Sequence, residues 1–255
     1  MLEGVRPVRD ARRIRTLLAL VALGCLVAGG LLACGRASAT PSLLPTPLPP
    51  QPRCAVAEVT GSLCILVLGD SIAEGTPLSG DDRWWVQLRK LLEPDLDGRS
   101  VEVDSWAVPG SRVDVLESAA RDQPALAGYD IAIVIEGVND EIVLSIAQWR
   151  PRYEAAIGAI ERQGPTVIVG TPPPNFENGT FATRYDPTAA ALREVAAAGH
   201  RPLLDIAARW HADGAAKAST YYSDLIHQGP AGQALMAQMA RDVVLDTVER
   251  MRPSG

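Results

Sequence analysis

Apolar positions along this chain follow two patterns. From residue 64 onward, short unbroken apolar runs alternate with longer stretches that repeat at helical period. The runs at 65–68, 131–135 and 167–169 are rich in Val, Ile and Leu and lack alternating polar positions. Such runs suit strands buried on both faces of a parallel sheet. Residues 101–106 and 202–204 are weaker strand candidates. Helical patterns occupy 84–92, 113–121, 146–162, 188–198 and 232–251. The order β-α-β-α-β-α-β-α-β-α predicts an α/β fold: a three-layer α/β/α sandwich on a mainly parallel five-stranded sheet, with right-handed crossovers. No internal repeat is visible, and residues 62–252 suit one domain.

The second pattern lies before this body. Arg6, Arg9, Arg12, Arg13 and Arg15 precede an uncharged apolar run over residues 16–33. A basic flank followed by an apolar run is the layout of a secretory signal. Eighteen residues are also long enough for a membrane-spanning anchor. Residues 1–33 therefore read as a signal peptide or signal anchor. The run ends Leu31-Leu32-Ala33-Cys34-Gly35, which resembles a bacterial lipobox and makes Cys34 a candidate for lipidation. Residues 34–61 form a linker. Six of the thirteen residues at 41–53 are Pro, which favours a stiff, extended spacer. The body is thus expected to be exported, then tethered to the outer face of the membrane or secreted.

Composition narrows the class. The 255 residues are 47% hydrophobic and 21% charged, as in an ordinary globular chain and unlike a disordered, collagenous or coiled-coil one. The formal net charge of −6 offers no basic surface for nucleic acid. Four Cys are too few for a disulfide-built scaffold. In an oxidising compartment Cys54 and Cys64 could pair and close a short loop against the first strand. No Cys/His spacing supports zinc, so neither a metal nor another cofactor is expected. A monomer is expected.

In an open α/β sheet, ligands bind at the carboxyl ends of the strands. Gly69-Asp70-Ser71 follows the first strand, placing a hydroxyl and a backbone N–H at a strand-to-helix turn. Taken alone, Ser71 reads equally as a helix cap. Val108-Pro109-Gly110-Ser111 follows the second strand, and Glu136-Gly137-Val138-Asn139-Asp140 the third. Near the end come Asp224-Leu225-Ile226-His227 and then Gly229-Pro230. An Asp three residues before a His can fix its tautomer and stabilise its charged form.

In combination these blocks are far more specific. Gly-Asp-Ser, Gly, Gly-x-Asn-Asp and Asp-x-x-His, in this order, resemble the SGNH (GDSL) hydrolase superfamily over residues 62–250. Two departures are visible: Ile72-Ala73 after Gly-Asp-Ser, and Glu136 before Gly137. The resemblance implies a serine hydrolase acting on esters. Ser71 would be the nucleophile, His227 the general base and acid, and Asp224 its orienting carboxylate. The N–H groups of Ser71 and Gly110, with the Asn139 amide, would form the oxyanion hole. The expected substrate is a small acyl ester, such as an acetyl group on a glycan. An acyltransferase on envelope glycans, a lysophospholipase or thioesterase, and a non-catalytic binding module are the alternatives.

The remaining polar residues read as structural. Asp70 and Asp140 are expected to bond N–H groups in their own turns, Glu74 to cap a helix, and His200 and His211 to take no part in chemistry. Trp84, Trp85, Trp106, Tyr221 and Tyr222 are candidate substrate contacts, although Trp84 and Trp85 cannot share one helix face. Residues 172–187 read as a loop at the ligand edge, with Phe176, Phe181 and Tyr185 available to cover an acyl or leaving group.

Overall fold

A computed structural model describes Cys54 and residues 61–252, apart from positions 97 and 123. Residues 1–33, read from the sequence as a signal peptide or signal anchor, Cys34 and the proline-rich stretch lie outside the described residues. Five strands form the main sheet: β1 (Leu63–Gly69), β2 (Val101–Ser105), β3 (Ile131–Ile135), β4 (Thr166–Gly170) and β7 (Leu203–Leu204). All pair in parallel, in the order β2-β1-β3-β4-β7. The expected α/β/α sandwich is the observed fold. Connections from β1 leave in one direction to β2 and then return across it to β3. The crevice between the ends of β1 and β3 is therefore the topological switch point, where such sheets bind ligands.

Burial on both sheet faces follows from strand geometry, since successive side chains point to opposite faces. Leu63, Ile65 and Val67 of β1 join Ile131, Ile133 and Ile135 of β3 in one core. Helices α2 (Trp84–Leu92), α6 (Ile206–Asp213) and α8 (Pro230–Met251) contribute Trp84, Leu88, Trp210, Met236 and Val244 to it. Cys64, Leu66 and Leu68 face the other way, with Ala132 and Val134. There they meet α3 (Val113–Asp122), α4 (Ile146–Glu161) and α5 (Asp186–Ala198) through Val113, Leu116, Trp149, Ile157, Leu192 and Val195.

Local chemistry sets the helix ends. Ser145 and Gln148 form a capping box at the start of α4, supplying acceptors for N–H groups that have no partner inside the helix. Asp205 caps α6 by accepting from the Ala208 N–H at 3.1 Å. Gly229 and Pro230 start α8, because proline's fixed φ and missing N–H cost nothing at the first helical position. Cys54 and Cys64 are joined, with Cα atoms 5.9 Å apart, so the described chain before β1 is held to the strand itself.

Five elements have no counterpart in the hydrophobic pattern. The short helices α1 (Ser71–Glu74) and α7 (Ala215–Ala218) are each a single turn. Residues 172–187 are not simply a loop: they contain an antiparallel ribbon, β5 (Asn175–Glu177) and β6 (Thr180–Ala182). Its two-residue turn is Asn178-Gly179, both at positive φ (51° and 81°). That is the backbone twist that tight hairpins select, and Asn-Gly supplies it with least strain. α6 is the fifth.

Candidate active site

β1 ends at Gly69, whose φ is +134°. A Cβ there would lie 1.8 Å from the Ile135 carbonyl oxygen, so only glycine lets β1 and β3 approach this closely. Asp70 then caps α1, its Oδ1 accepting from the Ile72 N–H at 2.8 Å. Ser71 is the first residue of α1. Among the described residues, neither the Ser71 nor the Gly110 N–H has a protein acceptor. The carbonyl end of α1 is held by two indoles: Trp84 Nε1 donates to the Ala73 oxygen at 2.8 Å, and Trp85 Nε1 to the Glu74 oxygen at 3.0 Å.

His227 comes from the segment between α7 and α8. Its Nε2 lies 3.0 Å from Ser71 Oγ, and its Nδ1 lies 2.8 Å from Asp224 Oδ2. The other Asp224 oxygen accepts from the backbone N–H groups of Ile226 and His227, both at 2.7 Å. Burial acts to raise the Asp224 pKa, but these N–H donors and the His227 ring together hold the carboxyl below its ordinary value. The segment closes on itself through an isolated bridge between Tyr222 and Gln228 and a bond from the Ser223 N–H to the His227 oxygen at 2.8 Å.

The turns after β2 and β3 interlock. Gly110 sits at φ +80° with open space where a Cβ would project. Asn139 Nδ2 donates to the Ser111 carbonyl at 2.9 Å. An amide has two N–H donors, so one remains for a ligand. Both Asp140 carboxylate oxygens accept from the Val113 N–H, at 3.2 Å each. Asp140 thus reaches across to the start of α3 instead of bonding in its own turn.

Three acids lie under these turns. Burial pushes the Asp70 carboxyl up to about 7, against the Ile72 and Ala73 N–H groups and the His227 ring. Burial and then the Asp70 charge push Glu136 well above the usual carboxylate range. Burial also raises Asp140, against its bonds from Val113.

The structure brings Ser71, Gly110, Asn139, Asp224 and His227 to the carboxyl edge of the sheet. Several other sequence expectations need correction. Trp84 is fully buried and props α1, so it is no substrate contact; its large apolar ring packs in the core while its N–H finds the α1 carbonyl. Tyr221 packs on Trp210, with ring centroids 5.0 Å apart, and donates its hydroxyl to Asp213 at 2.7 Å. Tyr185 is buried in the core. Trp106 packs edge-on against Tyr129. Glu74 is the last residue of α1 and does not cap it; it pairs with Arg83 at 2.5 Å and accepts from the Ser105 hydroxyl at 2.7 Å.

Phe176 stacks on Tyr222, with centroids 5.4 Å apart, and its N–H donates to the Leu225 oxygen at 2.8 Å. Tyr222 in turn donates its hydroxyl to the Pro174 carbonyl. The β5–β6 ribbon therefore buttresses the segment that carries Asp224 and His227. Sequence reasoning did not find the bond from Asn139 to the Ser111 carbonyl or the burial of Glu136. The available signal was an acid directly after an unbroken apolar strand, a position that buries its carboxyl.

A family model described as GDSL-like lipase/acylhydrolase matches residues 67–235. Among solved structures, the acetyl xylan esterase AlAXEase superposes with a TM-score of 0.60 at 14% identity, covering 71% of this chain and 98% of its own. Axe2, an acetylxylan esterase from Geobacillus stearothermophilus, gives 0.58 at 16% identity, covering 72% and 95%. The lipase/acylhydrolase from Enterococcus faecalis gives 0.58 at 22% identity, covering 76% and 100%. These likenesses carry the fold. No curated protein matches the chain by sequence. The four motif blocks and the family match over most of the domain lead to one assignment: the chain belongs to the GDSL-like lipase/acylhydrolase family of ester-hydrolysing enzymes.

Proposed function

We propose that this chain is a serine esterase that hydrolyses small acyl esters through Ser71, His227 and Asp224. The observation that carries the reading is the continuous line of contacts from Ser71 Oγ to His227 Nε2 at 3.0 Å and from His227 Nδ1 to Asp224 at 2.8 Å. A serine hydroxyl is a weak nucleophile until a base takes its proton. His227 Nε2 accepts that proton as Ser71 Oγ attacks the ester carbonyl carbon. Asp224 holds the ring with Nε2 facing the serine and stabilises the imidazolium that forms. The Ser71 and Gly110 N–H groups and the remaining Asn139 N–H donate to the developing oxyanion. His227 then returns the proton to the departing alkoxide, leaving an acyl-Ser71 ester. Water, deprotonated by His227, attacks that ester and releases the carboxylic acid.

Acetyl on a glycan is the favoured substrate, since two of the structural neighbours are acetyl xylan esterases. A second reading, a longer acyl chain, draws support from exposed apolar residues beside the chemistry. Leu225 is 57% exposed between Asp224 and His227, and Ile142 is 65% exposed just after Asn139-Asp140. A series of p-nitrophenyl esters of increasing chain length, run beside acetylated xylan, separates the two. Turnover falling steeply beyond acetyl supports the first, and turnover rising with length the second. Wild-type activity in Ser71→Ala would overturn both.

The same proposal sets the enzyme outside the cytoplasm, tethered at Cys34 or by the apolar segment before it. Palmitate incorporation that disappears in Cys34→Ala supports lipidation, and incorporation that persists rejects it.

A further inference from the structure

Ser111 Oγ lies 2.9 Å from the Gly69 carbonyl oxygen and 2.8 Å from Glu136 Oε2. A hydroxyl carries one proton, and a carbonyl or carboxylate oxygen can only accept. Both contacts are hydrogen bonds only if one further proton is present, and the one group able to carry it is Glu136. With Ser111 donating to Gly69, Glu136 Oε2–H donates to Ser111 Oγ, and each of the two contacts has one proton between its oxygens. With an ionised Glu136, Ser111 would turn its proton to the carboxylate. Its oxygen would then face the Gly69 oxygen at 2.9 Å with no proton between them.

The surroundings favour the neutral acid. Glu136 is 1% exposed. Among the described residues, its other oxygen accepts only from the Gly137 N–H, at 3.1 Å. Among the described residues, the titratable groups that act on it most strongly are Asp70 from the end of β1 and Asp140 from the turn after β3, with Tyr153 of α4 also within reach, and none of these is a cation. An isolated buried carboxylate without a counter-charge neutralises itself instead of staying ionised.

We propose that Glu136 is a positioning residue: as a neutral acid it donates to Ser111, and Ser111 thereby holds the Gly110–Ser111 turn against the strand end that carries Ser71. Ser111 is the right lever, because its carbonyl also receives the Asn139 amide. Two of the three oxyanion donors are thus placed through one residue. This rests on the oxyanion-hole reading above, and it assigns a function to the sequence departure at Glu136.

The test compares Glu136→Gln, which keeps a neutral donor, with Glu136→Ala. On a short p-nitrophenyl ester, the Gln variant is expected within about threefold of wild-type kcat and the Ala variant about a hundredfold below, with KM little changed, because displaced donors act on the transition state. Wild-type kcat should fall at alkaline pH as Glu136 ionises, and the Gln variant should lack that limb. Equal loss in both variants, or an alkaline limb retained in Gln, overturns the proposal. Infrared difference spectra at neutral pH supply a readout independent of activity. A protonated-carboxyl C=O band present in wild type and missing in Glu136→Gln supports the neutral acid, and its absence from wild type refutes it. Should the Glu136 variants fold poorly, Ser111→Ala should shift that band upward in frequency, and an unmoved band refutes the bond. If Ser71→Ala retains activity, the esterase reading fails while the infrared result still decides the state of Glu136.

Discussion

The Asn139 side chain donates to the Ser111 carbonyl at 2.9 Å across 28 residues of sequence. That bond makes the turns after β2 and β3 one unit, so the site behaves as a preorganised assembly instead of a set of independent loops. Donors fixed before the substrate arrives need no reorganisation as charge develops, which is where their catalytic value lies.

Removing that amide should therefore cost rate more than binding. Asn139→Ala is expected to lower kcat on a p-nitrophenyl ester by about 10²–10³, the usual loss for one oxyanion donor, with little change in KM. Steady-state kinetics check this. A variant with wild-type kcat would remove Asn139 from the oxyanion hole.

Asp70 links stability to pH. Burial raises its carboxyl from 3.8 to about 7, so between those values the folded state binds more protons than the unfolded chain. Its contribution to stability is present below the lower value and is lost as pH rises toward the upper one. Denaturant melts across this window should show stability declining with pH, and Asp70→Asn should flatten that slope. An unchanged slope in Asp70→Asn would assign the effect to another acid.

The Cys54–Cys64 bond spans a sequence separation of 10. Constraining so short a loop in the unfolded chain is worth about 2–3 kcal/mol. Reductant, or paired Cys54→Ser and Cys64→Ser, should lower unfolding free energy by that amount and leave kcat unchanged, since neither residue touches the site. Coincident melts with and without reductant would contradict this.

Trp84 offers a test of the α1 support. Its ring is fully buried and its N–H holds the Ala73 carbonyl. Trp84→Phe keeps most of the apolar packing but leaves a buried acceptor short of its donor, a loss of about 1–3 kcal/mol. Thermal melts measure the cost. Undiminished stability would show that another donor reaches Ala73.

Much of this architecture was legible along the chain. The run at 131–135 and the helical pattern at 84–92 match β3 and α2 to the residue, because a strand buried on both faces and an amphipathic helix must write their burial into local sequence. β7 has only two residues, and its position at the sheet edge left a fainter trace. α1 left none, since four residues do not make a period, and its support comes from indoles more than ten positions away. Trp84 and Trp85 looked like substrate contacts because an indole's partner cannot be read from its neighbours in sequence.

The candidates Ser71, Gly110, Asn139, Asp224 and His227 come from short motifs, and the family those motifs resemble is what implies acyl chemistry for them. The alternation of strands and helices, the motif blocks and the family they resemble are all written along the chain. The strand order, the distance from His227 to Ser71 across 156 residues, and the neighbours of Glu136 emerge once the chain is folded. Those are long-range relations, and proton balance or electrostatic shift depends on what surrounds a group in space.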